Sequence, residues 1–328
     1  MLDDGLALFG IKPDHDLDIM SQGQTLAQVT ARAVEGLDHV VSREKPDVIL
    51  VQGDTTTAFC GALSGYYHQI KVGHIEAGLR TGNKNAPFPE EINRCLIGRI
   101  ADLHFAPTEH ARQVLLSEGI PAPTVFMTGN TVIDALLLVR GQVRTHQPEL
   151  PDGLSEAIAG QQVILVTGHR RESFGEGFEN ICHAIRDIAD LFSNVTFVYP
   201  VHLNPNVREP VMRILGCHPR IHLMEPLPYA PFVWLMDRAA IVLTDSGGVQ
   251  EEAPSLGKPV LVMRETTERP EGITAGNACL VGVKRERIVD KLRQLLWDPE
   301  KRAAMAAVSN PYGDGRAAGR IVDVLANL

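Results

Sequence analysis

The chain has 328 residues, 44% of them hydrophobic, and a formal net charge of -9 without any long basic run. That length suits two domains rather than one core, and the charge argues against a nucleic-acid-binding surface while leaving room for a local basic pocket for phosphates. The five cysteines, at 60, 95, 182, 217 and 279, form no Cys-x-x-Cys pair and no Cys/His metal spacing. They read as reduced thiols in a cytoplasmic protein with no metal site. No apolar stretch is long enough to cross a bilayer.

Residues 1–9, MLDDGLALF, read as a short amphipathic helix, where a doubly wound domain would open on a buried strand. Residues 21–45 carry Leu26, Val29, Ala33, Leu37, Val40 and Val41 at helical spacing, and Pro46 ends the run. An apolar strand at 48–51 stops at Gly53-Asp54, and Thr55 can cap the helix that follows. A second strand, 72–75, stops at Glu76, and a Gly/Asn/Pro loop over 81–89 leads into a helix at 90–100. Strand 103–106, helix 108–117, strand 124–127 and helix 130–143 complete this half, whose alternation implies parallel strands.

Residues 146–160 are rich in Pro and Gly and are the expected boundary. The expected domains are 1–148, with a C-terminal helix over 315–328 packing on it, and 149–314. The second half repeats the pattern. Strands at 163–166, 195–199, 221–224, 239–243, 259–263 and 278–281 alternate with helices at 178–192, 204–215, 229–238 and 285–297. A last helix spans 316–326.

In open parallel sheets, ligands bind beyond the carboxyl ends of the strands. Those ends here deliver Asp54, Glu76, His169 with Arg170 and Arg171, and Asp245 with Ser246. The last belongs to TDSGGVQEEAPSLGKP (244–259), where a strand turns through Ser246, Gly247 and Gly248 into a helix. Glycines there let a ligand approach the backbone, and a helix N-terminus attracts phosphate. Glu251 and Glu252 on the first turns cannot favour a phosphate, but can accept from sugar hydroxyls. The stretch is neither a Walker A loop nor a dinucleotide fingerprint. It suggests a nucleotide held by diphosphate and ribose. If the two sheets face each other, carboxylates of the first and cations of the second converge on a phosphorylated sugar.

Each residue also has a structural reading. Asp54 can be a helix cap, Glu76 a partner for Arg80, Glu90 and Glu91 first-turn acids favoured by the helix dipole. His169 can hydrogen-bond among the arginines, and His202 reads as structural.

The motifs QGDTTT (52–57), HIEAGLRTG (74–82), PFPEEINR (87–94), TGNTVIDAL (128–136), TGHRRESFG (167–175), YPVHLNPNV (199–207), TDSGGVQEEAPSLGKPV (244–260), TTERPE (266–271) and NPYGDG (310–315) resemble the non-hydrolysing UDP-N-acetylglucosamine 2-epimerases across essentially the whole chain. The resemblance implies a GT-B fold, two Rossmann-like domains with the last helix crossing back to the first. It implies interconversion of UDP-N-acetylglucosamine and UDP-N-acetylmannosamine through 2-acetamidoglucal, without a cofactor. It places catalytic acids on Asp54, Glu76 and Glu90, and the diphosphate histidine on His169 beside Arg170. The phosphate loop falls on Ser246, Gly247 and Gly248, the ribose carboxylate on Glu252, a further substrate arginine on Arg269, and the uracil neighbour on Phe232. It also implies a cytoplasmic homodimer serving surface polysaccharide synthesis, with UDP-N-acetylglucosamine as both substrate and allosteric activator.

Two departures stand out. Leu227 occupies a position where the family often has a Gln near the uracil. The family's opening strand and Gly-Thr-Arg-Pro-Glu loop have no counterpart here, which implies a first domain without that strand and part of the activator site. A GT-B glycosyltransferase and an inactive UDP-sugar binder are the alternatives.

Overall fold

The computed structural model describes residues 2–21 and 23–328, so Met1 and Gln22 of the two N-terminal helices expected from sequence lie outside the described residues. The described strands are all parallel and form two sheets. The first contains β1 (Val48–Gln52), β2 (Lys71–Ile75), β3 (Leu103–Ala106) and β4 (Val125–Met127) in sequential order. The second contains β5 (Gln162–Thr167), β6 (Val195–Pro200), β7 (Ile221–Met224), β8 (Ile241–Thr244), β9 (Val260–Val262) and β10 (Ala278–Leu280), ordered β10-β9-β8-β5-β6-β7. The chain runs outward from β5 to β7, then returns to the other side of β5 at β8. That reversal makes a topological switch point between β5 and β8, the place where open sheets leave a crevice for ligands.

Burial explains why these strands read as unbroken apolar runs. Ile164 and Val166 of β5 enter one core with Phe178, Ile181 and Phe197, while Val163 and Leu165 enter another with Trp234, Leu235 and Val242. Both faces of the strand are covered, as parallel sheets require.

Contacts divide the chain into two units. The N-terminal unit is Gly10–Asp134 with Tyr312–Leu328, and the C-terminal unit is residues 2–9 with Ala135–Pro311. The division falls inside the helix Thr131–Thr145, because its Leu136, Val139 and Val143 lie in the core that contains Val163 and Leu165. The helix Leu2–Leu8 also belongs to the C-terminal unit, where Leu8 packs against the same core.

The C-terminal helix Ala317–Leu325 joins the N-terminal unit through Ile321, which packs with Leu103 and Phe105. The Asp134 carboxylate accepts from the backbone N–H groups of Ala317 and Ala318 at 3.1 and 2.9 Å, capping a helix start that no side chain of its own caps. Arg320 donates to the Thr128 carbonyl at 2.9 Å, and Asn130 N–H donates to the Tyr312 carbonyl at 2.7 Å. Three short helices, Leu154–Ile158, Pro270–Ala275 and Pro299–Ala306, were not expected from the sequence pattern.

Candidate functional site

In the C-terminal unit, Thr167 and Thr244 are register partners, so β5 and β8 end level with each other. The loops beyond them meet at the switch point. Asp245, wholly buried, accepts at one carboxylate oxygen from the backbone N–H groups of both His169 and Arg170, each at 2.8 Å. Its other oxygen lies 3.5 Å from His169 Nδ1. One buried carboxylate therefore sets the path of the loop that carries His169. Burial lowers the pKa of His169; Asp245 pulls the other way, and His202 and Arg170 add to the lowering. These groups together favour neutral imidazole, and a dianion beside the ring would favour its protonation. The His202 ring stacks on His169 with centroids 5.3 Å apart, and its Nδ1 accepts from Asn204 N–H at 3.1 Å.

Ser246 is the N-cap of the helix Gly247–Ser255. Its hydroxyl makes no cap bond. Arg269 lies directly over this turn. A Cβ built on Gly247 would sit 2.5 Å from Arg269 Nη1 and 2.8 Å from Cζ. The guanidinium is held by two buried carboxylates, with Nε bonded to Glu251 and Nη1 to Glu268, each at 2.5 Å. Glu268 also accepts from Arg264 at 2.8 Å and lies 3.7 Å from Arg170. Burial would raise the Glu268 carboxyl, but the guanidiniums of Arg269 and Arg264 overcome it and hold it at about 2. The result is a helix N-terminus with an arginine clamped beside it, an arrangement that can attract an anion. Gly248 has no atom closer than 3.9 Å to its own built Cβ, so the turn is open on that side. Glu252 is buried and bonded to the Tyr229 hydroxyl. Phe232 lies three residues after Tyr229 on the helix Tyr229–Arg238, half-buried against the core.

In the N-terminal unit, β1 and β2 end level, with Gln52 opposite Ile75. Gly53 and Glu76 both adopt left-handed backbone, at φ 69° and 65°. For glutamate this conformation is strained, and such strain gathers at functional sites. Glu76 Oε2 lies 3.2 Å from a Cβ built on Gly53, which brings the Glu76 carboxylate beside the turn that carries Asp54. His74 supports that turn, with Nε2 at 2.8 Å from the Gly53 carbonyl. Burial pushes His74 down to about 3, so the ring is neutral and this nitrogen is the donor. Asp54 pairs at 2.6 Å with Arg94, itself buried, and the Asp54 carbonyl accepts from Asn93 at 2.9 Å. Glu90 occupies the first turn of the same helix, Glu90–Ile100.

The Thr55 hydroxyl caps the next helix by accepting from Ala58 N–H, which leaves the Asp54 carboxylate to Arg94. Arg80 is bidentate to Glu118 at 2.8 and 2.9 Å. Glu91 accepts from the N–H groups of Thr81 and Gly82, so it organises the loop ahead of Glu90. Sequence reasoning did not find the roles of Arg94, Tyr229 and Glu268. Each is defined by a partner that only the fold brings near. Asp245 was visible at its strand end, but its hold on the His169 loop was not.

Two parallel α/β units with these strand-end groups define a protein of the GT-B class. The chain belongs to the UDP-N-acetylglucosamine 2-epimerase family, whose model matches residues 1–326. It is 56% identical to the UDP-N-acetylglucosamine 2-epimerase of Escherichia coli K12, over 100% of this chain and 88% of that protein. The Bacillus subtilis 168 protein of the same name is 53% identical over 99% and 84%. The crystal structure of UDP-GlcNAc 2-epimerase from Neisseria meningitidis bound to UDP-GlcNAc matches with a TM-score of 0.92 and 46% identity, over 100% of this chain and 89% of that one. No helix among the described residues is long and apolar enough to cross a membrane.

Proposed function

We propose that this chain reversibly epimerises C2 of UDP-N-acetylglucosamine to give UDP-N-acetylmannosamine. The observation that carries the reading is the clamped Arg269 over the Ser246–Gly247–Gly248 turn, a cradle for a nucleoside diphosphate leaving group. A carboxylate takes the C2 proton, the C2–H electrons form the C1=C2 bond, and the C1–O bond breaks to release UDP. Its new negative charge is met by the helix N-terminus, Arg269 and His169. The proton then returns to the opposite face of C2, and a UDP phosphate oxygen adds back to C1. Asp54, Glu76 and Glu90 supply the acid and base groups that opposite faces require. Glu252 accepts from the ribose hydroxyls, Phe232 lies beside the uracil, and Arg170 joins His169 at the diphosphate.

The same reading carries a cytoplasmic homodimer, a product used for surface polysaccharide, and UDP-N-acetylglucosamine acting also as activator. The family relationship supports it, together with the separation of anion-binding groups in one unit from carboxylates in the other.

Proton NMR in heavy water tests the reading. Incubation with UDP-N-acetylglucosamine alone is expected to give the manno epimer with deuterium at C2. Turnover only after addition of a sugar acceptor would instead identify a transferase. UDP binding without C2 exchange would identify a binder and overturn the proposal.

A further inference from the structure

Glu252 differs from the other buried acids of its unit. Glu251 and Glu268 each face a guanidinium, whereas Glu252 bonds a hydroxyl. Its Oε1 accepts from the Tyr229 phenol, which comes from the first turn of the neighbouring helix Tyr229–Arg238. Its Oε2 lies 3.9 Å from a Cβ built on Gly248, over the open side of the phosphate turn. A carboxylate offers about four lone-pair sites. Occupying Oε1 from one side turns Oε2 toward the turn. The phenol ring is itself half-buried against the core, so its hydroxyl has little freedom to leave.

We infer that Tyr229 is a positioning residue: its hydroxyl orients the Glu252 carboxylate so that the other oxygen accepts from a ligand's vicinal hydroxyls. The inference rests on the assignment of Glu252 as hydroxyl acceptor made above. Burial pushes Glu252 up to about 7, the Tyr229 hydrogen bond opposes that rise, and the charge of Glu251 on the same helix adds to it. Tyr229 and Glu251 are the titratable groups that act on it, and Arg269 is engaged by Glu251 and Glu268 instead. A carboxyl poised there is half-protonated near neutrality. Ligand hydroxyls donate more strongly to its ionised form, so recognition of a diol strengthens as pH rises through about 7. Without the phenol the carboxyl rises further, and the same recognition needs a higher pH.

The test compares binding of UDP with binding of its 2′,3′-dideoxy analogue, by calorimetry from pH 6 to 8.5, in the wild type, Tyr229→Phe and Glu252→Gln. Both ligands carry the same diphosphate, so the titration of His169 and of the phosphates cancels in the ratio of their dissociation constants. In the wild type the preference for UDP should grow with pH. In Tyr229→Phe the preference at pH 7 should fall about fivefold to tenfold, the net worth of one typical intramolecular hydrogen bond. Its midpoint should move to higher pH, and binding of the dideoxy analogue should be unchanged. Glu252→Gln should lose the pH dependence of the preference.

Two results would overturn the inference separately. If Glu252→Gln reduces the preference while Tyr229→Phe leaves both its size and its midpoint unmoved, Tyr229 has no positioning role and the Glu252 assignment stands. If Glu252→Gln leaves the preference intact, the Glu252 assignment falls, and the role of Tyr229 falls with it.

Discussion

Gly247→Ala isolates the clamp that the proposed function relies on. The added methyl would sit 2.5 Å from Arg269 Nη1, so the guanidinium must withdraw by roughly 1 Å to reach ordinary contact. A free arginine would move at little cost. Arg269 is not free, because its Nε and Nη1 bond Glu251 and Glu268 at 2.5 Å, and both acids are buried. Hydrogen bonds to charged groups contribute about 1.5–3 kcal/mol each. Partial loss of both should cost about 1–3 kcal/mol, or a Tm drop of about 2–5 °C for a chain this size. UDP affinity should fall at least about tenfold, since the displaced guanidinium no longer faces the turn. Gly248→Ala is the control, because its Cβ meets nothing of the protein closer than 3.9 Å. It should keep the wild-type Tm while weakening UDP by blocking close approach to the backbone. Thermal unfolding and calorimetric titration of both variants decide the matter. A Gly247→Ala protein with unchanged Tm and unchanged UDP affinity would refute the clamp.

Asp54→Asn, Glu76→Gln and His169→Ala should each abolish turnover, read by NMR, while circular dichroism shows a retained fold; near-wild-type rates in all three would sink the site assignment. Asp245→Ala removes the acceptor for two backbone N–H groups of the His169 loop, so UDP affinity and Tm should both fall, the latter by several degrees for a loss of about 2 kcal/mol. Burial holds His74 at about 3 and His104 at about 4. Between those values and 6.5 only the unfolded chain binds these protons, so stability is full above 6.5 and declines as pH falls. The two together should give a slope of about 1–3 kcal/mol per pH unit between pH 6 and 4. Denaturant titration across that range should show it, and His104→Asn should reduce it by about half.

The strands were legible because a parallel strand covered on both faces is written as a short apolar run, as in Val163 to Val166. The glycine turn after β8 and the strand-end positions of Asp54, Glu76 and His169 were legible for a related reason: in this topology the loop after a strand is where a ligand binds. Pairings across the chain were not legible. Arg94 stands within PFPEEINR, yet nothing local says that it reaches back to Asp54. Arg80 has Glu76 four residues away and pairs instead with Glu118. The amphipathic pattern of the helix Leu2–Leu8 announces a buried face but not which unit buries it. The helix Pro299–Ala306 did carry a signal, Asp298 as N-cap followed by Pro at the first helical position.

The closing helix Ala317–Leu325 also orders events during synthesis. A ribosome delivers the strands of the N-terminal unit first, then all of Ala135–Pro311, and only afterwards the segment whose Ile321 meets Leu103 and Phe105. The C-terminal unit can therefore mature while the N-terminal one still waits for its final piece. During that interval the apolar side chains of β3 lack their cover and the Asp134 carboxylate lacks the two N–H groups that it later caps. Until that helix arrives, the uncovered apolar surface of β3 is open to off-pathway contacts.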